Sequence, residues 1–175
     1  MLGIVLATIF AILIAISLVI IVKTRRDETE EYYDAARNIL KSDRLDSLLK
    51  KNGPDVTVPY DASVKPMVYL KVKGSKTQKY VFDPSKTVNI GRDKALNQIC
   101  IDEAVVSHFH CRIYSNAMNV YLQNVGALNG VQLKRGRKVY TLGAEEVTEL
   151  YAKDIIIAGT TRIEVTVFYF DLLMM

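Results

Sequence analysis

Residues 88–113 read VNIGRDKALNQICIDEAVVSHFHCRI. Three brief runs, VNI, QICI and FHCRI, are set apart by segments of Gly, Asp, Asn and Ser, and no apolar spacing of three or four persists across them. Short runs of branched and aromatic residues bounded by turn formers are strand signals. The rhythm continues on both sides: MVYLKV (67–72) and KYVF (79–82) upstream, then NVYLQ (119–123), GVQL, RKVY, DIIIA and RIEVTVFYF (162–170) downstream. KGS, DPSK, SNAMN, NVGALNG, KRG and AGTT divide them. In the run Arg162-Ile163-Glu164-Val165-Thr166-Val167 the branched apolar residues fall on one face and the polar ones on the other, as in a half-buried strand. The region 65–175 is therefore expected to be all-β, an antiparallel sandwich, with a small barrel as the alternative. A domain of this size can bury a core without disulfides. Cys100 and Cys111 match no zinc or redox spacing and read as small buried residues.

The first 22 residues are a different material. All 42 charged residues of the 175 follow Val22, and Leu2–Val22 as a helix would be about 31 Å long, the thickness of a bilayer core. A cleaved signal peptide fits poorly, because the small-residue pair Ala15 and Ser17 is followed by LVIIV inside the apolar run. Residues 1–22 are thus expected to cross a lipid bilayer. Lys23, Arg25 and Arg26 follow the span while no Lys or Arg precedes it, which by the positive-inside bias puts the domain in the cytoplasm. Residues 23–64 read as a juxtamembrane linker, partly helical: Tyr33, Ala36, Leu40, Leu45, Leu48 and Leu49 recur at helical spacing before the stop signal Asn52-Gly53-Pro54. Either a helix that packs on a partner or a simple spacer would give this pattern. The formal charge of +4 is too modest for coating nucleic acid, and no nucleic-acid partner is expected.

In a sandwich the strand connections at the ends are free to bind. Three stand out. Ile90-Gly91-Arg92 ends a strand in a residue without a side chain and then a fixed cation, a means of bringing a guanidinium fork to an anion. Val106-Ser107-His108-Phe109-His110 offers a hydroxyl and two imidazoles at the start of a strand. Asn124-Val125-Gly126-Ala127-Leu128-Asn129-Gly130 reads as a flexible loop ending in Asn-Gly. Taken singly, each has an ordinary reading: a surface arginine, a turn-forming serine, a hairpin turn. His108 and His110 at alternate strand positions would share a face, but two ligands without a third make no metal site. No cofactor motif and no G-x-S-x-G, P-loop or H-E-x-x-H pattern is present, so no enzyme is expected.

The ordered trio Gly-Arg, Ser-x-x-His and Asn-Gly, with VYLQNVGALNG and LYAKDIIIAGTTRIEV following in register, resembles the forkhead-associated (FHA) phosphothreonine-binding domain over roughly residues 67–170. The resemblance implies an eleven-stranded, two-sheet β-sandwich with a peptide-binding end. It also implies that Arg92 and Ser107 contact the phosphate, that Asn129 clamps the peptide main chain, and that His110 braces the loops. His108 takes a place where members often carry a ligand-reaching side chain, and Gly91 and Gly130 shape the loops. The sequence departs from the usual pattern at Ala127-Leu128 and Val131, where polar residues are common, which predicts weak or context-dependent binding. The chain as a whole resembles small bacterial proteins with one N-terminal span and one FHA domain. These imply a membrane-anchored cytoplasmic adaptor for phosphothreonine-containing partner proteins, near a Ser/Thr kinase and the cell-wall or division machinery. The alternative is a structural, phosphate-independent module of a membrane-associated complex such as a secretion system. Lys134-Arg135-Gly136-Arg137-Lys138 is the densest basic run; it invites a nucleic-acid or lipid-headgroup reading but reads chiefly as a solvated turn, with attraction of acidic phosphopeptides next.

Overall fold

A computed structural model describes the backbone of residues 2–50 and 64–172, and the side chains of 6–43 and 64–172. The stop signal at Asn52-Gly53-Pro54 and the side chains of Leu45, Leu48 and Leu49 lie outside these described residues. The chain forms two compact units, residues 1–35 and 36–175.

In the first unit, residues 2–35 belong to helix α1 (Leu2–Lys50). Every side chain from Leu6 to Val22 is exposed. A helix that is apolar on all faces and buries none of them is suited to hydrocarbon rather than water. It is a candidate membrane anchor, long and apolar enough to span a bilayer.

The second unit holds eleven strands: β1 (Val64–Lys73), β2 (Thr77–Phe82), β3 (Val88–Gly91), β4 (Ile99–Cys100), β5 (Cys111–Asn116), β6 (Asn119–Asn124), β7 (Val131–Arg135), β8 (Lys138–Leu142), β9 (Val147–Glu149), β10 (Ile155–Ala158) and β11 (Thr161–Asp171). They form a six-stranded sheet in the order β2-β1-β11-β10-β7-β8 and a five-stranded sheet in the order β4-β3-β5-β6-β9. This is the expected two-sheet sandwich. All pairings are antiparallel except β3 with β4.

The period of two in the sequence decides what lies between the sheets. Val68, Leu70 and Val72 of β1 and Ile163 and Val165 of β11 turn inward beside Leu133 and Ile156, and meet Ile90, Ile113 and Leu122 from the facing sheet. Burying each such side chain stabilises by about 1.5–3 kcal/mol. A one-residue slip of the ladder from Val64↔Asp171 to Lys73↔Arg162 would turn this set to solvent. The outer face of an antiparallel sheet is usually solvated, yet Met67, Tyr69, Phe168 and Phe170, which lie there, are buried, and Ala36 and Leu40 are buried in the same unit. Asp43, also in that unit, pairs with Lys86.

The candidate functional site

At one end of the sandwich the β3–β4 loop, the β4–β5 loop and the β6–β7 loop converge on a cavity of about 640 Å³. Arg92, Ser107, His108, His110, Asn129 and Gly130 all line it. Gly91 sits behind Arg92 as the last residue of β3. The expected site residues, scattered over some forty positions, are thus neighbours.

Gly91 is where the first two loops touch. A Cβ there would lie 2.4 Å from the carbonyl oxygen of His108 and 2.9 Å from Oδ1 of Asn97, so only glycine fits. This contact lets the Arg92 N–H donate to the Ser107 carbonyl (2.9 Å) and the Asp93 N–H to the His108 carbonyl (3.2 Å). Asn97 reinforces it, donating from Nδ2 to the carbonyls of Asp93 (2.6 Å) and His108 (2.7 Å). The second and third loops are stitched in the same way. The Val125 N–H donates to the His110 carbonyl (3.3 Å), and a Cβ on Gly126 would lie 2.2 Å from the carbonyl oxygen of Phe109.

The functional groups face the cavity largely unspent. The Arg92 guanidinium donates from Nη2 to Nε2 of His108 (3.1 Å), while its buried Nε has no partner. Because arginine only donates, His108 must present a lone pair at Nε2. Its Nδ1 lies 4.0 Å from Asp93 Oδ2, beyond hydrogen-bond reach. His108 therefore orients the fork without neutralising it. The Ser107 hydroxyl and the exposed Asn129 amide make no hydrogen bonds among the described residues. A guanidinium fork, a hydroxyl and an amide around one open cavity can hold a phosphate ester and the peptide main chain beside it.

The two histidines do not share a strand face, contrary to their reading as alternate positions on a strand. β5 begins only at Cys111; the chain bends at residues 108–109 before the His110 N–H donates to the Ile90 carbonyl (3.0 Å). His108 is exposed and His110 is buried. Nδ1 of His110 accepts the Ser107 N–H at 3.4 Å, and burial holds the imidazole pKa below its ordinary value of 6.5. That bond ties the Ser107 loop to the residue before β5. No group of three or more potential metal ligands occurs among the described residues.

Three supports were not legible in the sequence. Asn124, whose loop reads as flexible, in fact pins it: its buried amide donates to the carbonyls of Ala127 (3.3 Å), Leu142 (3.1 Å) and Gly143 (2.9 Å). The same side chain accepts from the N–H of Gly126 (3.1 Å) and of Ala127 (2.9 Å). Gly130 then closes the turn with φ +78, and a Cβ there would lie 2.6 Å from Thr141 Cγ2. Asn97 is the second support. Glu103 is the third, accepting from the Thr160 N–H (2.7 Å) and the Thr161 hydroxyl (2.6 Å). Those bonds hold its carboxyl below the usual range and tie the β4–β5 loop to the β10–β11 turn. Asparagine at a loop start is the signal that could have flagged Asn124.

Comparison with known proteins agrees with this architecture. The family model of the FHA domain matches residues 88–159. The solution structure of the FHA domain of an Arabidopsis thaliana hypothetical protein is similar over 65% of this chain and 93% of that one, at 28% identity and a TM-score of 0.53. The crystal structure of the MEK1 FHA domain is similar over 58% of this chain and 89% of that one, at 20% identity and a TM-score of 0.51. The MEK1 FHA domain in complex with a HOP1 phosphothreonine peptide is similar over 57% and 94% of the two chains, at 20% identity and a TM-score of 0.47. No curated protein matches the chain. FHA domains are protein-interaction modules, and the eleven-stranded sandwich that follows the apolar helix of this chain is an FHA domain.

Proposed function

We propose that this protein is a membrane-anchored adaptor whose FHA domain, residues 65–175, faces the cytoplasm and captures phosphothreonine on partner proteins. One observation carries the reading. Arg92, Ser107 and Asn129 line one cavity from three separate loops. A phosphothreonine brings about −1.5 to −2 charges and three acceptor oxygens, and such a ligand needs fixed donors more than a bulk positive field. In this reading Arg92 donates to two phosphate oxygens and Ser107 to a third, while Asn129 grips the peptide backbone. His108 positions Arg92, and Gly91, His110 and Gly130 keep the loops in register. The helix 2–22 would hold the domain at the bilayer, with Lys23, Arg25 and Arg26 retained on the cytoplasmic side. A Ser/Thr kinase would supply the mark, and the bacterial cell-wall and division machinery is the setting we favour.

Leu128, 96% exposed at the rim of the cavity, offers a ligand no polar group, and it is the feature that favours a structural, phosphate-independent module instead; Ala127 and Val131 are buried in the core. Titration of the detergent-solubilised full chain with matched phosphothreonine and threonine peptide libraries separates the two. The adaptor binds only the phosphorylated set, and Arg92→Ala weakens it by at least about 100-fold, two charge-assisted hydrogen bonds being worth about 3 kcal/mol or more. Equal retention of both libraries, or a large defined oligomer indifferent to Arg92→Ala, would establish the structural module.

A further inference from the structure

The basic run at residues 134–138 takes no part in the cavity. Its arginines divide. Arg135 is withdrawn from it: Nε and Nη2 donate to the two carboxylate oxygens of buried Asp154 at 2.9 and 2.7 Å, and Nη2 also donates to the Glu149 carbonyl (2.7 Å). Its guanidinium lies 4.4 Å over the ring of Tyr151. This anchors the turn end of the β7–β8 hairpin, where Arg135 pairs with Lys138, and leaves Lys134, Arg137 and Lys138 as its free cations among the described residues. The acids next along the chain are engaged elsewhere. Glu145 accepts from Gln123 (3.1 Å), Glu146 from the Gly143 N–H (2.7 Å), and Glu149 from the Tyr151 hydroxyl (2.7 Å).

β8 is the outer strand of its sheet. Lys138, Val139, Tyr140 and Thr141 are exposed in succession. Side chains of a strand alternate between its faces, so both faces of this strand are open to solvent. Val139 is 55% exposed, Tyr140 46% and, beneath Arg135, Tyr151 48%. Gly136 forms the tip at φ +60 with open space around it. Cations at a tip with tyrosines and a branched aliphatic behind them is the composition of a membrane interface.

From this we infer that the β7–β8 hairpin is a second membrane contact, in which Lys134, Arg137 and Lys138 engage anionic phospholipid headgroups while Val139 and Tyr140 enter the interfacial layer. The inference rests on the anchoring helix of the proposed function but not on phosphothreonine binding. Tethering keeps the headgroups at high effective concentration, so three cations suffice where a free protein would need more. A second copy is the poorer occupant of this edge, since Lys138 on the outer strand and Arg137 in the turn beside it would face their own like.

The test is hydrogen exchange of the full chain in nanodiscs of phosphatidylcholine alone and of phosphatidylcholine with one part in three phosphatidylglycerol. In the anionic discs, exchange over residues 134–141 should slow by about tenfold or more, and the effect should vanish in 1 M salt, where screening acts within about 3 Å. Lys134→Glu with Arg137→Glu and Lys138→Glu should abolish it while leaving phosphopeptide titration on the same discs unchanged. Equal exchange in both lipids overturns the inference. So does slowing that follows protein density instead of lipid charge, which would mean edge pairing between copies, and so does slowing produced by added oligonucleotide but not by lipid. Retention of the chain after an alkaline wash reports the helix independently: a chain that washes off overturns the anchor, while the hairpin contact stands or falls on the exchange comparison.

Discussion

Replacing Gly91 by alanine tests whether the binding end depends on the near-contact of two loops. The added Cβ would meet the His108 carbonyl oxygen at 2.4 Å where ordinary contact begins at 3.4 Å, so the backbones must part by roughly 1 Å, the difference of those distances. The Arg92 N–H to Ser107 carbonyl bond of 2.9 Å and the Asp93 N–H to His108 carbonyl bond of 3.2 Å would then stretch beyond useful hydrogen-bond length. Two lost backbone bonds at about 0.5–1.5 kcal/mol each, with crowding of about 1–3 kcal/mol, predict destabilisation of about 2–6 kcal/mol. Moving Ser107 away from Arg92 by this amount costs the phosphate about one charge-assisted contact, a loss of roughly 10- to 150-fold in affinity. Urea unfolding and phosphopeptide titration of the full chain measure the two effects. Gly136→Ala is the control: it also changes a glycine, at φ +60 in open space, and should cost about 1 kcal/mol with no change in affinity. If Gly91→Ala loses no more affinity than Gly136→Ala, the two loops do not set the spacing of the phosphate contacts, and the reasoning fails.

Two further outcomes follow from the buried supports. His110 has its pKa lowered by burial from the ordinary 6.5, so the unfolded chain binds more protons than the folded one as pH falls through that value. Its stabilising contribution is present above pH 6.5 and is lost on acidification below it. The melting temperature should therefore fall between pH 7.5 and 5, and His110→Gln should flatten that fall. The depressed carboxyl of Glu103 acts only below its ordinary 4.5, outside the window. Asn124→Ala removes five hydrogen bonds from the β6–β7 loop and should destabilise by about 3 kcal/mol or more. It should also speed hydrogen exchange at residues 125–130, and unchanged protection there would show that the loop is held by something else.

What could be read in advance and what could not divide along one physical line. The strands were legible because alternation and turn chemistry act between residues a few positions apart, and so do the pieces of the site: Gly-Arg at a strand end, a hydroxyl before a bend, Asn-Gly in a turn. Asn97, Asn124 and Glu103 look like ordinary loop polar residues locally, because their partners lie far along the chain: His108 for Asn97, Leu142 and Gly143 for Asn124, Thr160 and Thr161 for Glu103. Arg135 reads as one more surface cation until Asp154, nineteen positions on, accepts it. The histidines misled as well. Their alternate spacing is a local strand signal, but the chain bends at residues 108–109 before the strand begins at Cys111. Local sequence thus decides which atoms can touch a ligand, and long-range polar burial decides where those atoms are held. Losing Arg92 should remove binding chemistry at once, whereas losing Asn124 or Glu103 should leave the chemistry intact and blur its geometry. The second kind of variant should bind more weakly but keep its preference for phosphorylated over plain peptide.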